Sequence, residues 1–144
     1  MHLVEVALEW EDYFGVGPSI TSAISEWDAA RLVGMSEEEY CEDRRRHGAV
    51  RRDVDFSFKG IRYQVTANRP SGKKGSKVTL VKQKTETLRP FGWDRLIWIL
   101  YDRLYVIQEA REFTAEEYRR EFCNATRLSP DDMRKGHPPV PLAP

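Results

Sequence analysis

DVDFSFKGIRYQVTAN, running from Asp53 to Asn68, is the stretch whose reading decides the fold. At period two it divides twice. Val54, Phe56 and Phe58 fall on one side, and Asp53, Asp55 and Ser57 on the other. After Lys59-Gly60 the alternation resumes, with Ile61, Tyr63, Val65 and Ala67 apolar and Arg62, Gln64, Thr66 and Asn68 polar. Two alternating runs around a short Gly-containing turn specify a β-hairpin. With Lys59-Gly60 as a two-residue loop, Phe58 faces Ile61, Phe56 faces Tyr63 and Val54 faces Val65 on the buried side. On the other side Asp55 faces Gln64 and Asp53 faces Thr66. Directly opposed residues bring their Cβ atoms within about 4.5–5.5 Å, so acids and polar groups converge on one patch. The same alternation also describes the solvated face of an ordinary antiparallel hairpin, where polar-out is the rule.

Asp55 followed by Gln64-Val65-Thr66 resembles the PD-(D/E)xK signature of the restriction-endonuclease-like nuclease superfamily. The words GIRYQV and the Gly- and Lys-rich loop after them are similar to it as well. Thr21 to Gly34, TSAISEWDAARLVG, resembles that superfamily's N-terminal helix, which carries a Glu near the site; here the candidate is Glu26. The resemblance spans roughly Ser22 to Arg111. It implies an α/β fold with a mixed central sheet of about five strands flanked by helices, and a divalent-metal-dependent DNA endonuclease activity. Asp55 and Gln64 would hold Mg²⁺ or Mn²⁺ from neighbouring strands, joined by the carbonyl of Val65 and assisted by Asp53 or Glu26. The sequence departs from the signature at its last position. Thr66 stands where a Lys would help to activate the attacking water, and Thr can hydrogen-bond a water but carries no charge.

The donor set suits that chemistry on its own terms. Mg²⁺ takes oxygen ligands, usually one or two protein carboxylates with waters and a substrate phosphate. Such an ion acidifies a bound water and stabilises charge on a phosphate in flight.

With 144 residues, 40% hydrophobic and 32% charged, the chain has the size and composition of one soluble domain with its own core. The 23 basic residues balance the 23 acidic ones, so affinity for nucleic acid requires a local patch. Two cysteines, Cys41 and Cys123, make neither a disulfide framework nor a zinc set, and a reducing cytoplasm is expected. No apolar run approaches a membrane span, and Glu5, Glu9, Glu11 and Asp12 occupy an N-terminus that a signal peptide would make basic.

The densest basic cluster is Arg44, Arg45, Arg46, His47, Arg51 and Arg52, directly before the hairpin. Together with Arg69, Lys73, Lys74 and Lys77 of the loop after it, these are the candidate DNA-backbone contacts. The bland alternative is a solvated charge run, three of its arginines suiting a helix C-terminus. The loop lacks the GxxxxGK[ST] spacing of a Walker P-loop.

Elsewhere, residues 1–14 place Leu3, Val6, Ala7, Trp10, Tyr13 and Phe14 at helical spacing, and Ser36 with Glu39 forms a capping box for a helix to about Arg46. Val78–Val81 reads as a third strand. The apolar run Leu96–Tyr101 reads as the buried central strand, and Leu104–Gln108 as a returning one. Thr114 caps a helix carrying Tyr118 and Phe122, and Ser129-Pro130 starts a short one. The domain is expected over 1–135, with the Pro-rich 136–144 as an extended, disordered tail. A cut in both strands needs two sites, so a homodimer is expected. The competing expectation is a non-catalytic DNA- or protein-binding module that keeps the nuclease fold.

Overall fold

The computed structural model describes residues 2–15, 20–47, 54–70, 77–80 and 92–142. Three helices, α1 (His2–Phe14), α2 (Thr21–Leu32) and α3 (Glu37–His47), precede β1 (Phe56–Phe58) and β2 (Ile61–Asn68). Then come β3 (Arg95–Tyr101), β4 (Ile107–Thr114), α4 (Ala115–Phe122) and α5 (Pro130–Met133). The strands form one sheet in the order β1-β2-β3-β4, with β2 and β3 parallel and the two outer pairs antiparallel.

The hairpin has the expected register, Phe58 opposite Ile61 and Phe56 opposite Tyr63. Lys59 and Gly60 both adopt positive φ, 50° and 79°, as the tight turn that matches strand twist requires. The ladder then slips. Asp55 N–H donates to the carbonyl of Tyr63 at 2.8 Å, so Asp55 and Phe56 both stand opposite Tyr63, a bulge in effect. The expected pairing of Val54 with Val65 is therefore replaced, although Val54 is still buried.

β3 explains its own composition. Leu96, Ile97, Trp98 and Ile99 are all fully buried, because helices cover both faces of the sheet. Ile97, Ile99 and Tyr101 join Tyr63, Phe56 and residues of α1 and α2 in one core. Leu96 and Trp98 join Trp93, Phe113, Tyr118, Phe122 and Met133 in a second, on the α4 side. The result is a mixed α/β sandwich.

Four strands form among the described residues, where five were expected. Val78 makes a single bridge to Leu128 and no strand; residues 81–91 lie outside the described set. The returning strand starts later than expected, at Ile107, because Asp102 builds a turn first. Its Oδ1 accepts from Leu104 N at 2.8 Å and Val106 N at 2.9 Å, with Tyr105 at φ 62°. Asp side chains commonly organise turns in this way.

The capping predictions hold. Ser36 Oγ accepts from Glu39 N at 3.1 Å, Thr114 Oγ1 from Glu117 N at 3.1 Å and Ser129 Oγ from Asp132 N at 3.3 Å. The disorder expected for the tail does not extend to 136–142. His137 exchanges backbone hydrogen bonds with Glu112 at 2.6 and 3.1 Å, and Leu142 N donates to Val33 O at 2.9 Å. Gly136 permits this approach, since a Cβ there would lie 2.8 Å from the Phe113 ring and 2.9 Å from the Glu112 carbonyl.

Asp28 ties α2 to the central strand. It is buried, accepts from the Tyr101 hydroxyl at 2.5 Å and pairs with Arg31. Replacing Tyr101 by Phe removes one partner of a buried carboxylate and should destabilise the fold by about 1–3 kcal/mol. Urea unfolding checks this; an unchanged midpoint would show that the bond contributes nothing net.

Candidate functional site

The slip at Asp55 creates the site. Only Ile61–Tyr63 of β2 pair with β1, so among the described residues no strand pairs with that side of β2 from Gln64 onward. The Asp55 carboxylate fills the first vacancy, its Oδ2 accepting from Val65 N at 2.7 Å. A charged acceptor makes this bond stronger than the ladder bond it replaces. α2 packs along the same part of β2. Glu26, Asp55, Gln64 and Thr66 consequently line one cleft of ≈ 300 Å³, with Ser22 and Ser25 on its helical wall.

Glu26 is the electrostatic centre. Its side chain is 17% exposed and its Oε2 accepts from Arg44 Nη1 at 3.0 Å. Burial raises its pKa from 4.5 to about 7, and the nearby negative charge of Asp55 pushes the same way. Arg44 opposes both, while a hydrogen bond between the two carboxyls favours the protonated form. Arg44 Nη1 also donates to the Asp55 carbonyl at 3.3 Å, and its guanidinium lies 5.7 Å from the centre of the Tyr40 ring. One cation thus bridges the helical and strand sides of the acidic pair.

The structure brings together Glu26, Asp55, Gln64, Val65 and Thr66 as the sequence suggested. Asp53, the other candidate ligand, lies outside the described residues. So do Arg51, Arg52, Lys73 and Lys74 among the candidate DNA contacts. Arg44, expected on a DNA backbone, is turned into the acidic site. Arg45 is exposed and pairs with Glu42 at 3.1 Å. Arg69 is the clearest departure. Its side chain is 11% exposed and bonds Glu11 at 2.7 Å and the Arg103 carbonyl, over the Tyr105 ring. Its charge is paired within the fold. Lys77 is exposed, and its carbonyl accepts from Asn68 Nδ2 at 2.8 Å, which ties it to the end of β2.

The donors fit a hard divalent cation. Two facing carboxyls, an amide and a hydroxyl offer oxygen and no sulfur or imidazole. A pair of carboxyls that resists losing its last proton is also an arrangement that a dication relieves. Among the described residues no group of three or more His, Cys, Asp or Glu side chains gathers for a metal, so Gln64 and Thr66 would have to contribute. Arg44 is the participant that sequence reasoning missed. In the sequence it is one of a run of arginines, and no spacing rule links it to Glu26, 18 residues away.

In comparisons with known proteins, no family model, no curated protein and no solved structure matched this chain.

The raised pKa of Glu26 has a sign in stability. Between pH 4.5 and about 7 the folded chain holds a proton that the unfolded chain has lost. This group's contribution therefore declines as pH rises through that window. In a carbon-detected NMR titration without divalent ions, the Glu26 carboxyl should titrate near pH 7. Asp55→Asn should lower that midpoint and Arg44→Met should raise it. An ordinary carboxylate midpoint in all three proteins would show that the two carboxyls do not meet.

Proposed function

We propose that the chain is a divalent-metal-dependent DNA endonuclease of the PD-(D/E)xK kind, hydrolysing phosphodiester bonds. The observation that carries this reading is the convergence of Glu26, Asp55 and Gln64 on one cleft, with Thr66 beside them. Asp55 and Gln64 would hold Mg²⁺ or Mn²⁺, with the Val65 carbonyl and Asp53 as further ligands. When bound, the ion would acidify water and stabilise charge on the phosphate.

The protein's own groups divide the remaining work. Glu26, titrating near neutrality, is suited to exchange a proton with a water in the cleft. The Thr66 hydroxyl orients that water by hydrogen bonding. Arg44 supplies the fixed positive charge that Thr66 lacks, holding Glu26 at 3.0 Å. Arg45 and Lys77, with Arg51, Arg52, Lys73 and Lys74 in the flanking segments, would contact the DNA backbone. Two copies would present two sites to the two strands. Two free, exposed cysteines suit a reducing cytoplasm, and no described helix is long and apolar enough to cross a membrane.

A non-catalytic binding module with this fold is the second reading. It is favoured by the absence of charge at Thr66 and by the existing neutralisation of Glu26 by Arg44.

Supercoiled plasmid with Mg²⁺ or Mn²⁺ separates the two. The chain should nick or linearise it, and Asp55→Ala should slow cutting by roughly 100-fold or more, as loss of a metal ligand does. Cutting by Thr66→Lys alone would favour the second reading for the natural chain. If no version cut and calorimetry detected no Mg²⁺ or Mn²⁺ binding, the metal-site reading would fall.

A further inference from the structure

The apolar surface of α1 is wider than the strip that the fold covers. Val4, Ala7 and Leu8 pack on the core shared with α2 and the sheet. Leu3, Val6, Trp10, Tyr13 and Phe14 point away from it, at exposures of 39, 43, 50, 83 and 56%. These are five of the eight large hydrophobic residues that are exposed among the described residues. Two of the other three, Leu104 and Val106, line a groove together with Leu3. An apolar surface this wide is expected to be covered beyond the strip that the core takes up.

The pattern of the outer face indicates what covers it. Leu3, Val6, Trp10 and Tyr13 follow the 3-4-3 spacing of a coiled-coil seam, running about 15 Å along the helix at 1.5 Å per residue. We propose that this seam is the dimerisation surface of the protein, packing against the same helix of a second copy in antiparallel orientation about a two-fold axis. The inference rests on α1 and holds whether or not the cleft is a nuclease site.

Three features favour a second copy in that orientation. The first is size. The N-terminal half of the seam is aliphatic and the C-terminal half aromatic, so antiparallel packing sets Leu3 against Tyr13 and Val6 against Trp10. Large thus meets small in every layer, whereas parallel packing would crowd the rings together.

The second is charge. α1 has no basic residue in its last turn, although Glu9, Glu11 and Asp12 lie in its C-terminal half, where its own dipole disfavours acids. Arg69 answers Glu11. Antiparallel packing sets the last turn of α1, with Asp12, level with the first turn of the partner's helix, the end that favours negative charge.

The third is area. Aromatic side chains carry about 150–250 Å² each, so three that are half or more exposed leave roughly 300–450 Å² bare. With Leu3 and Val6, each about 40% exposed, two copies would bury on the order of 800–1,200 Å² in total, the small end of specific interfaces and in keeping with a weak dimer. The rings already form one cluster, with Trp10–Phe14 and Tyr13–Phe14 centroids 4.6 and 4.7 Å apart.

Sedimentation equilibrium tests the surface, over roughly 1–200 µM to resolve a micromolar dimer. The parent chain should reach twice its 16.8 kDa mass. Trp10→Glu, at a half-exposed position, should keep the parent's circular dichroism and weaken association at least about 100-fold. Disulfide trapping tests orientation in a Cys41→Ser, Cys123→Ser background. Leu3→Cys chains mixed with Tyr13→Cys chains should cross-link to each other in preference to themselves. A parent monomeric throughout the range, with the helix then serving some other partner, would overturn the proposal. So would a Trp10→Glu chain that dimerises like the parent, or preferential self-linking of Leu3→Cys chains.

Discussion

The hydrogen bond from Val65 N to the Asp55 carboxylate is the constraint on which the site depends. A side chain here takes a position that a neighbouring strand would otherwise fill, at 2.7 Å. Three consequences follow from that substitution. β1 ends at Phe56 instead of running back through Val54, the far half of β2 has no strand partner on that side among the described residues, and an anionic group is fixed against it. Had the ladder continued, backbone carbonyls would have covered the edge and the acid would have pointed to solvent.

Around that anchor the site is a balance of opposed charges in a half-dry setting. Burial and Asp55 drive Glu26 toward its protonated form, and Arg44 drives it back. The guanidinium holds both acid-bearing segments, through the Glu26 carboxylate and the Asp55 carbonyl. A carboxyl poised near neutrality beside a fixed carboxylate is an arrangement common to metal sites and acid–base sites. Structural ion-pair networks shift pKa values in the same way, which is why the donor set and the cleft, together with the shift, support the functional reading.

Away from the cleft, the fold closes its loose ends with polar contacts of the same economy. Glu112 is 1% exposed, with Arg95 at 3.8 Å and His137 at 3.9 Å, and its backbone bridges to His137. The Pro-rich arm is thereby fastened beside β4 and reaches Val33 after α2. On the opposite flank Arg69 joins α1 to the turn at Arg103 through Glu11. That tie holds the inner face of α1 on the core and leaves its aromatic face turned outward.

The sequence by itself determined the features that depend on neighbours in the chain. Period-two alternation and the Lys59-Gly60 turn set the hairpin register, Ser36, Thr114 and Ser129 marked helix starts, and the run from Leu96 to Tyr101 announced a strand buried on both faces. Each follows from local sterics and local hydrogen bonding, which operate within a few residues. The same local rules expected a strand at Val78–Val81, of which the described residues 78–80 make one bridge, and began β4 too early, because pairing partners and the Asp102 turn lie outside any short window. Family resemblance placed Glu26 near Asp55, and only helix docking decided how deeply Glu26 is buried beside it and that Arg44 bonds both segments. Tertiary structure likewise turned Arg69 inward and fastened the tail that composition suggested was loose. Such outcomes depend on which surfaces α1, α2 and α3 present to the sheet once the core has packed, and no spacing along the chain encodes that choice.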